Sequence, residues 1–468
     1  MAPAPLTRAL ARYALDADWA GLPDPVRAEA VRAFLNFTGC VLGGCREPAV
    51  EAAVAASVLT GGGTAATIIG HGMRSDLATA AFVNCLSSAI LAFDDTHLAT
   101  VTHPTGPVAA AILAYAETTP VTGQAFLNAL SLGMEIECRL SNALLLPPAR
   151  GNTALYVTGL SGPAGAAAAL GRLMGLDEQR LRWAIALAAS MAAGFRATHG
   201  AMSGLLVPAV AARNAVHATL LAANGFTCMD DVLESERGFL ALFSPGADPA
   251  VALDGIGERF EVLANAYKPY PAGIVVHAAV DACLDAMADA AEDARPESVR
   301  LTVPPLSKAL ADRPHPADFF AAQISLQHWA AHACLRRSAG IAALNPETIE
   351  APDIVALRAK VEITTDASFG RDEAAVELRL GGGAVRRAHV ANARGSLARP
   401  MTDAELHAKF RAQARHLLPD AAAEALLARL RGLPGSADVA KTLGLGKAAG
   451  GVDLGLDTPA GAANDCRI

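Results

Sequence analysis

The 468-residue sequence lacks any long run of basic residues, and its formal net charge is −8. The longest basic clusters are pairs such as Arg336-Arg337 and Arg386-Arg387. Because binding to the phosphates of a nucleic acid requires a concentrated basic face, we expect no nucleic-acid partner. The N-terminus also lacks a basic region followed by a long apolar run, so the sequence predicts no secretory signal peptide.

Paired cysteines are absent as well. The eight cysteines include no CxxC motif, and nothing near Cys40 and Cys45 completes a zinc or iron–sulfur ligand set. Scattered cysteines in apolar segments are usually reduced core residues, so the cytoplasm is the expected compartment. The Ala-rich stretch over residues 154–172 contains four Gly and one Pro, which is more typical of a tightly packed soluble helix than of a membrane span. We therefore expect no membrane association.

Helical periodicity is what the sequence has in abundance. Between Pro23 and Cys40, apolar residues recur near a period of 3.6. Residues 78–93 and 106–118 are apolar almost all round, which is typical of helices inside a bundle. Further helices are predicted over residues 123–140, 156–172, 177–195 and 208–224. The helical pattern resumes at Thr402, at the start of a capping sequence, and runs to about residue 432.

A different pattern begins near residue 265. Residues 299–303, 359–364, 375–380 and 384–390 alternate between apolar and polar, as half-buried strands do. The triplet Gly381-Gly382-Gly383 predicts a hairpin between the last two strands. Residues 266–397 are therefore predicted to form a smaller α+β domain. The Gly-, Ala- and Asp-rich residues 443–468 are predicted to be a disordered tail.

Residues 93–107 concentrate polar groups between two very apolar helices. The segment contains two Asp, two His and four Thr, and polar clusters in such surroundings are costly unless they are satisfied or used. One interpretation is a capped turn, in which Asp94 or Asp95 closes one helix. The other is an acid/base site, because burial and mutual charge tune the pKa values of paired groups. A metal site is less favoured, because no third ligand is clustered there.

A second polar segment runs from Tyr267 to Asp281. Pro269 and Pro271 favour an extended backbone that presents Lys268 and leads into a helix near His277. A fixed Lys beside a His suits the binding of a carboxylate. The alternative is a loop at a domain boundary that carries a surface Lys.

Together, the segments AFDDTHLATVTHPTGPVAAAILAYAE and YKPYPAGIVVHAAVDACLDA resemble the two signature regions of the MmgE/PrpD family. The resemblance spans roughly residues 5–430. It implies a mainly α fold, with a large all-helical domain from residues 1–265 and 398–442 and an α+β lid from residues 266–397. It also implies a homodimer, no metal or organic cofactor, and an active site in the cleft between the domains.

Several residues match the family pattern, namely Asp95, Thr96, His103, Lys268 and His277, and Asp94 and His97 belong to the same motif. The sequence departs from the pattern at other positions that are often Asp, His, Lys or Tyr in the family: Ala92, about Thr153, about Gly204, Gly273 and about His328. The polar residues Tyr156 and His199 lie close to two of these departures. We therefore expect a divergent subgroup with its own substrate or chemistry.

His103 is predicted to be a general base or acid whose tautomer is set by Asp94 or Asp95. His277 or His328 is predicted to be the second proton carrier. Contacts to the substrate and its carboxylates are expected from Lys268, Thr96, Thr102, His97, Tyr156 and His199.

The resemblance implies a cofactor-independent hydro-lyase that acts on a small hydroxy-di- or tricarboxylic acid such as a 2-methylcitrate-like substrate. The alternatives are an epimerase or isomerase of an iminodisuccinate-like dicarboxylic acid and, less favoured, a decarboxylase. From another class, a non-catalytic, carboxylate-binding helical protein is also an alternative. Elimination needs one group to remove a proton and one to protonate the leaving hydroxyl, whereas epimerisation needs groups on both faces of one carbon. A pair of histidines suits either scheme, so the residues leave the reaction open.

Overall fold

The computed structural model describes residues 5–60, 62–152 and 154–445, and helices dominate it. This confirms the predicted mainly α class. The first part of the chain forms a helical body with two short strand pairs. Its helices are α1 (Leu6–Asp16), α2 (Asp24–Gly44), α3 (Pro48–Thr60), α4 (Leu77–Ala89), α5 (Thr105–Ala116), α6 (Gly123–Leu145), α7 (Val157–Leu173), α8 (Glu178–Ser190), α9 (Leu206–Ala223), α10 (Phe239–Phe243) and α11 (Pro249–Leu253), and its strands are β1 (Ala66–Ile68), β2 (Met73–Ser75), β3 (Asp95–His97) and β4 (Asn265–Tyr267).

Small residues allow the central helices of the body to pack closely. A Cβ atom added at Gly133 of α6 would lie 2.9 Å from the carbonyl oxygen of Gly165 in α7, and one added at Gly165 would lie 2.5 Å from the carbonyl oxygen of Gly133. Such separations leave no room for a side chain, so the two backbones touch directly. Nearly every residue of α5, α6 and α7 is buried, as predicted for helices that are apolar all round.

The α+β domain has its own hydrophobic cluster, formed by residues between 270 and 393. Its four-stranded sheet has the order β6-β5-β7-β8; β5 and β6 are parallel, and the other pairs are antiparallel. The predicted Gly-rich hairpin joins β7 to β8, and Gly382 and Gly383 have left-handed backbone torsions. The elements are α12 (His277–Met287), β5 (Pro296–Val303), α13 (Pro305–Ala311), α14 (Phe319–Gln323), α15 (Leu326–Arg336), α16 (Pro346–Ile349), α17 (Pro352–Arg358), β6 (Val361–Thr365), β7 (Ala374–Leu380) and β8 (Val385–Val390).

The chain then returns to the helical body through α18 (Asp403–Ala414), α19 (Asp420–Arg431) and α20 (Val439–Leu443). Leu445 is buried in the core of the body, and Gly444 adopts a left-handed conformation that turns the chain back after α20. The prediction of a disordered tail from residue 443 is therefore wrong for its first three residues, because an apolar pair at the end of α20 has a core to pack against. Residues 446–468 lie outside the described residues.

One helical stretch in the described part of the chain, Met202–Ala223, is long and apolar enough to cross a membrane by length and composition alone. Half of its most apolar window is buried inside the protein. Core helices of folded proteins meet the same criterion, so this stretch is weak evidence for a membrane span.

The two polar segments predicted from the sequence are joined by an antiparallel strand pair. In β3 and β4, Asp95 lies opposite Tyr267, and His97 lies opposite Asn265. Asp94 precedes Asp95, and Lys268 follows Tyr267. The antiparallel register therefore places Asp94 and Lys268 beside each other at the same end of the strand pair. Residues that are far apart in the chain are thus brought together at the boundary between the body and the α+β domain.

Lys409 of α18 connects these segments to the rest of the body. Its buried ammonium group donates hydrogen bonds to Asn36 Oδ1 (2.7 Å), to the carbonyl oxygen of Phe93 (2.6 Å) and to the carbonyl oxygen of Lys268 (2.8 Å). Burial lowers the pKa of Lys409 to about 8, so the group is still protonated at neutral pH and uses all three of its donors. A single side chain therefore fixes the backbone beside both Asp94 and Lys268.

We predict that Lys409→Met lowers the free energy of unfolding by about 2–4 kcal/mol, because it leaves three buried acceptors without a donor. The measurement is urea denaturation followed by circular dichroism. Lys441→Met is the matched control, because its ammonium forms an exposed ion pair with Asp438, and its expected effect is within about 0.5 kcal/mol. Equal effects of the two substitutions would contradict the connecting role of Lys409.

Candidate active site

A cavity of about 100 Å³ lies between the helical body and the α+β domain. At roughly 10–15 Å³ per water position, this volume holds several waters or one small organic molecule. The ionisable side chains that line it come from four separate segments of the chain. They are Asp94, His103, Tyr156, Arg196, His199 and Lys268.

An ion pair forms one wall of the cavity. The ammonium group of Lys268 donates a hydrogen bond to Asp94 Oδ1, and the two side chains are only 3% and 12% exposed. Burial raises the pKa of Asp94, but positive charge on His103 and on Lys268 lowers it by more, so that it lies below its ordinary value. Since His103 is itself neutral at pH 7, Lys268 is the group that keeps this carboxylate ionised.

His103 lies beside this ion pair with its protonation pattern fixed. Its Nδ1 atom is 2.8 Å from the carbonyl oxygen of Asp95 and 3.4 Å from Asp94 Oδ2. A carbonyl oxygen can only accept a hydrogen bond, so Nδ1 carries the hydrogen and Nε2 of the neutral ring has a free lone pair. Burial lowers the pKa of His103 to about 4, although Asp94 opposes the shift. At neutral pH the ring is therefore an uncharged base.

Tyr156 and His199 continue the cavity wall from His103. The ring centres of His103 and Tyr156 are 6.1 Å apart, those of Tyr156 and His199 are 4.6 Å apart, and both pairs are close to perpendicular. Burial raises the pKa of Tyr156, so its hydroxyl stays protonated at neutral pH and can donate a hydrogen bond. Burial, helped by the charge of Arg196, lowers the pKa of His199 to about 3, so this ring is also neutral.

Arg196 lines the cavity although the sequence did not single it out. It begins a short 3₁₀ helix, Arg196–Thr198, in the connection between α8 and α9. A lone Arg between two helices is more often a solvated loop residue, and no motif surrounds it. The signal that could have found it is the short polar stretch from Arg196 to His199, which separates two long apolar helices.

Asp95 and Thr96 support the site from behind the cavity. The carboxylate of Asp95 accepts hydrogen bonds from Thr105 Oγ1 and Asn265 Nδ2, and burial raises its pKa to about 6. Thr96 is fully buried, and its Oγ1 is 3.3 Å from His103 Nδ1. Neither side chain lines the cavity. Of the two carboxylates, Asp94 is thus the one at the wall, while Asp95 acts on His103 through its backbone carbonyl.

His97 and Thr102, predicted as substrate contacts, are both fully buried in the body. His97 Nε2 is 3.1 Å from Glu261 Oε2, and Thr102 Oγ1 donates to Ser141 Oγ at 2.9 Å. These partners lie on α6 and just before β4, on the side of the turn that faces away from the cavity. The prediction is therefore corrected: burial among body helices uses these groups in a structural polar network.

His277 and His328, predicted as second proton carriers, do not line the cavity either. Nε2 of His277 is 3.1 Å from the carbonyl oxygen of Ala272, and Nε2 of His328 is 2.8 Å from that of Ala343. Both rings are fully buried, and burial lowers their pKa values to about 3 and about 4. Their placement corrects this prediction, because packing of α12 and α15 turns the two rings onto backbone carbonyls.

Positions that depart from the family pattern also lie at the cavity. Gly204 lines it, and a Cβ atom there would lie 2.7 Å from the carbonyl oxygen of Thr198, so a side chain requires a different backbone. Ala92 lines it with a left-handed backbone torsion, φ 48°. Val101, which is not one of these positions, also lines it with a left-handed torsion, φ 56°. Such strain costs of order 1–3 kcal/mol per residue and clusters at functional sites. The position near Thr153 lies outside the described residues.

The arrangement supplies a neutral base, a protonated hydroxyl and fixed positive charge around a small cavity. These are the groups needed to remove a proton beside a carboxylate and to stabilise the negative charge that develops. Within residues 5–445 as described, no three His, Cys, Asp or Glu side chains come together in a way that could hold a metal ion. The expected absence of a metal stays a prediction.

Fold and cavity together define a two-domain, mainly helical protein with a polar cavity at the domain boundary. A model of the MmgE/PrpD N-terminal domain matches residues 8–252, and a model of the C-terminal domain matches residues 270–431. The chain therefore belongs to the MmgE/PrpD family, as the resemblance of its two signature segments predicted.

Similar proteins include three cis-aconitate decarboxylases. The mouse (Mus musculus) protein is 26% identical over 368 residues, which are 74% of this chain and 74% of that protein. The human (Homo sapiens) protein is 27% identical over 377 residues, 76% of each. The Aspergillus terreus protein is 28% identical over 274 residues, 56% of each. These likenesses support an enzyme of the lyase type within the family.

We predict that the buried histidines make stability fall as the pH is lowered from about 6.5 to about 4. Their native pKa values lie below the ordinary 6.5, so the unfolded chain binds more protons in this window and acid favours unfolding. Urea denaturation at several pH values measures the effect. His277→Gln with His328→Gln should flatten the dependence, whereas His389→Gln, an exposed control, should not. An unchanged slope in the double variant would contradict the assigned pKa shifts.

Proposed function

We propose that the protein is a lyase that eliminates water from a small hydroxy-di- or tricarboxylic acid, with His103 as the base. The observation that carries the proposal is the hydrogen bond between His103 Nδ1 and the carbonyl oxygen of Asp95. It leaves Nε2 unprotonated in a cavity that also contains a buried ammonium group and a tyrosine hydroxyl. A base in this state can act on a bound substrate without first losing a proton.

The proposed reaction begins when His103 Nε2 removes a proton from the carbon next to a substrate carboxylate. Lys268 stabilises the negative charge that develops on that carboxylate. The C–H electron pair forms the new double bond, the C–O bond breaks, and the hydroxyl of Tyr156 protonates the departing hydroxide to give water. The imidazolium of His103 then returns its proton to the Tyr156 oxygen, which restores both groups.

Decarboxylation is the second candidate, because the similar proteins named above are cis-aconitate decarboxylases. That reaction needs an acid to protonate the carbon from which carbon dioxide leaves. His103 does not carry the required proton at neutral pH, because burial lowers its pKa to about 4, so Tyr156 would have to supply it. Both reactions would thus use Tyr156 as the acid, and elimination of water also uses the unprotonated ring of His103 as the base.

Epimerisation remains an alternative, since His103 and His199 are two neutral bases whose rings both lie near the ring of Tyr156. It requires both bases to reach one carbon from opposite faces. A non-catalytic carboxylate-binding protein is the alternative from another class. These alternatives differ in what they do to the substrate's hydrogens, so a single spectroscopic experiment separates them.

The experiment is proton NMR of the purified protein in D₂O with 2-methylcitrate, citrate, cis-aconitate and other di- and tricarboxylic acids. New vinyl signals from a hydroxy acid support the proposal. Carbon dioxide release from cis-aconitate favours the second candidate, and deuterium incorporation without net conversion favours an epimerase. Binding without any spectral change favours the non-catalytic alternative.

We predict that His103→Gln lowers turnover of the active substrate by about 10²–10⁴-fold, because it removes the base. His328→Gln should lower turnover by less than about tenfold, because this ring is buried away from the cavity. The exposed His389→Gln variant is the control for the substitution itself. Full activity of the His103→Gln enzyme would exclude His103 as the base, and a loss in His328→Gln as large as that in His103→Gln would restore His328 as a candidate proton carrier.

A further inference from the structure

Arg196 is held at the cavity by contacts at its backbone and at the inner end of its guanidinium group. Its backbone N–H donates to the carbonyl oxygen of Ala154 at 2.8 Å, and its Nε donates to that of Leu155 at 3.2 Å. Among the described residues, neither Nη group forms a hydrogen bond within the protein. The two terminal nitrogens are thus the part of Arg196 that is available to a molecule in the cavity.

Among the described residues, no carboxylate balances the charge of Arg196. Lys268 is paired with Asp94, but no carboxylate of residues 5–60, 62–152 or 154–445 lies within ion-pair distance of Arg196, and neither Gly61 nor Thr153 is acidic. Burial lowers the pKa of Arg196, yet a guanidinium group stays protonated in proteins. A largely buried, unpaired cation is costly unless an anion joins it.

The α+β domain closes over the loop that carries Arg196. Gly200 has a left-handed backbone, φ +84°, and a Cβ atom there would lie only 2.8 Å from Ile324 Cδ1. This contact joins the loop to the α+β domain. Because Arg196 is only partly exposed, a charge-assisted hydrogen bond from it to an anion is less screened by water than one at the open surface.

We propose that Arg196 is a receptor for a second substrate carboxylate, remote from the reacting carbon. The planar guanidinium group matches a carboxylate with two parallel hydrogen bonds. Arg196 lies on the Tyr156–His199 side of the cavity, and Lys268 lies beside His103. The cavity thus selects acids with at least two carboxylates, one near Lys268 and one at Arg196, over monocarboxylic acids. The assignment of the first carboxylate to Lys268 rests on the proposed function.

Binding of tricarballylate tests the receptor without any turnover, because this tricarboxylate has neither a hydroxyl group to eliminate nor a double bond. Isothermal calorimetry on the full chain should show binding by the unaltered protein that Arg196→Gln weakens by about 10–100-fold, the range for a hydrogen-bonded charge. Arg196→Lys should recover part of the loss, since it keeps the charge but not the paired geometry. Butyrate, with one carboxylate, should bind more weakly than tricarballylate to the unaltered protein.

Arg313→Gln is the matched control. Its guanidinium carbon lies 3.8 Å from a Cβ position built at Gly200, but Arg313 is exposed, so the substitution should change tricarballylate binding by less than about threefold. Added methylguanidinium should restore binding to Arg196→Gln and not affect Arg313→Gln. A merely structural role of Arg196 would not give this rescue.

The proposed role of Arg196 is contradicted if Arg196→Gln binds tricarballylate as tightly as the unaltered protein, or if the unaltered protein binds none at millimolar concentration. It is also overturned if Arg196→Lys and Arg313→Gln lose equal affinity. Binding that depends on Arg196 in a protein that dehydrates no acid would support the receptor and contradict the proposed lyase reaction. The two proposals therefore fail separately.

Discussion

Asp94 and Lys268 are 174 residues apart in the chain, yet their side chains form a buried ion pair. They meet because Asp95 pairs with Tyr267 in a short antiparallel ladder, and because Lys409 binds the carbonyl oxygens beside both of them. Loss of one partner of a buried ion pair leaves an uncompensated charge, at a cost of about 3–5 kcal/mol. This pair thus joins the end of β3 to the segment that leads into the α+β domain, and both of its side chains lie at the wall of the cavity.

The electrostatic state of the cavity follows from this pair and from burial. The charges of Asp94 and Lys268 offset each other, and His103 and His199 are neutral because burial lowers their pKa values to about 4 and about 3. Arg196 is then the charge that the described protein leaves unbalanced at the wall. A small anion bound at Arg196 would balance this charge, and the neutral imidazole of His199 lies nearby. Binding and proton removal are in this way assigned to different residues of one cavity.

The sequence was sufficient to predict much of this arrangement. Apolar residues recur with a period of 3.6 in the helical body and of 2 in the strands of the α+β domain, and this difference distinguished the two domains. The high density of polar residues over 93–107 identified the segment that carries Asp94 and His103. It could not show that His97 of β3 and Thr102 in the turn after this strand are both fully buried in the helical body. Motif position likewise drew attention to His277, whose ring is turned onto a backbone carbonyl by the packing of its helix.

Arg196, in contrast to His277, lies in no motif, and the sequence analysis did not single it out. Its proposed role depends on burial without a nearby carboxylate among the described residues, and a local sequence pattern cannot show which residues are neighbours in the fold. The departures from the family pattern have a similar origin: the loop after Thr198 approaches Gly204 so closely that the described backbone admits no side chain there. Properties that depend on three-dimensional proximity could therefore be recognised only from the structure.

The tautomer of His103 tests the account most directly. Nitrogen-15 NMR of the protein labelled in its histidine rings, with His103→Gln used for assignment, reports which ring nitrogen carries hydrogen. The account predicts a neutral ring at pH 7 with hydrogen on Nδ1 and none on Nε2, and no second proton until the pH approaches about 4. A ring protonated on Nε2 at pH 7, whether neutral or as the imidazolium ion, would contradict it.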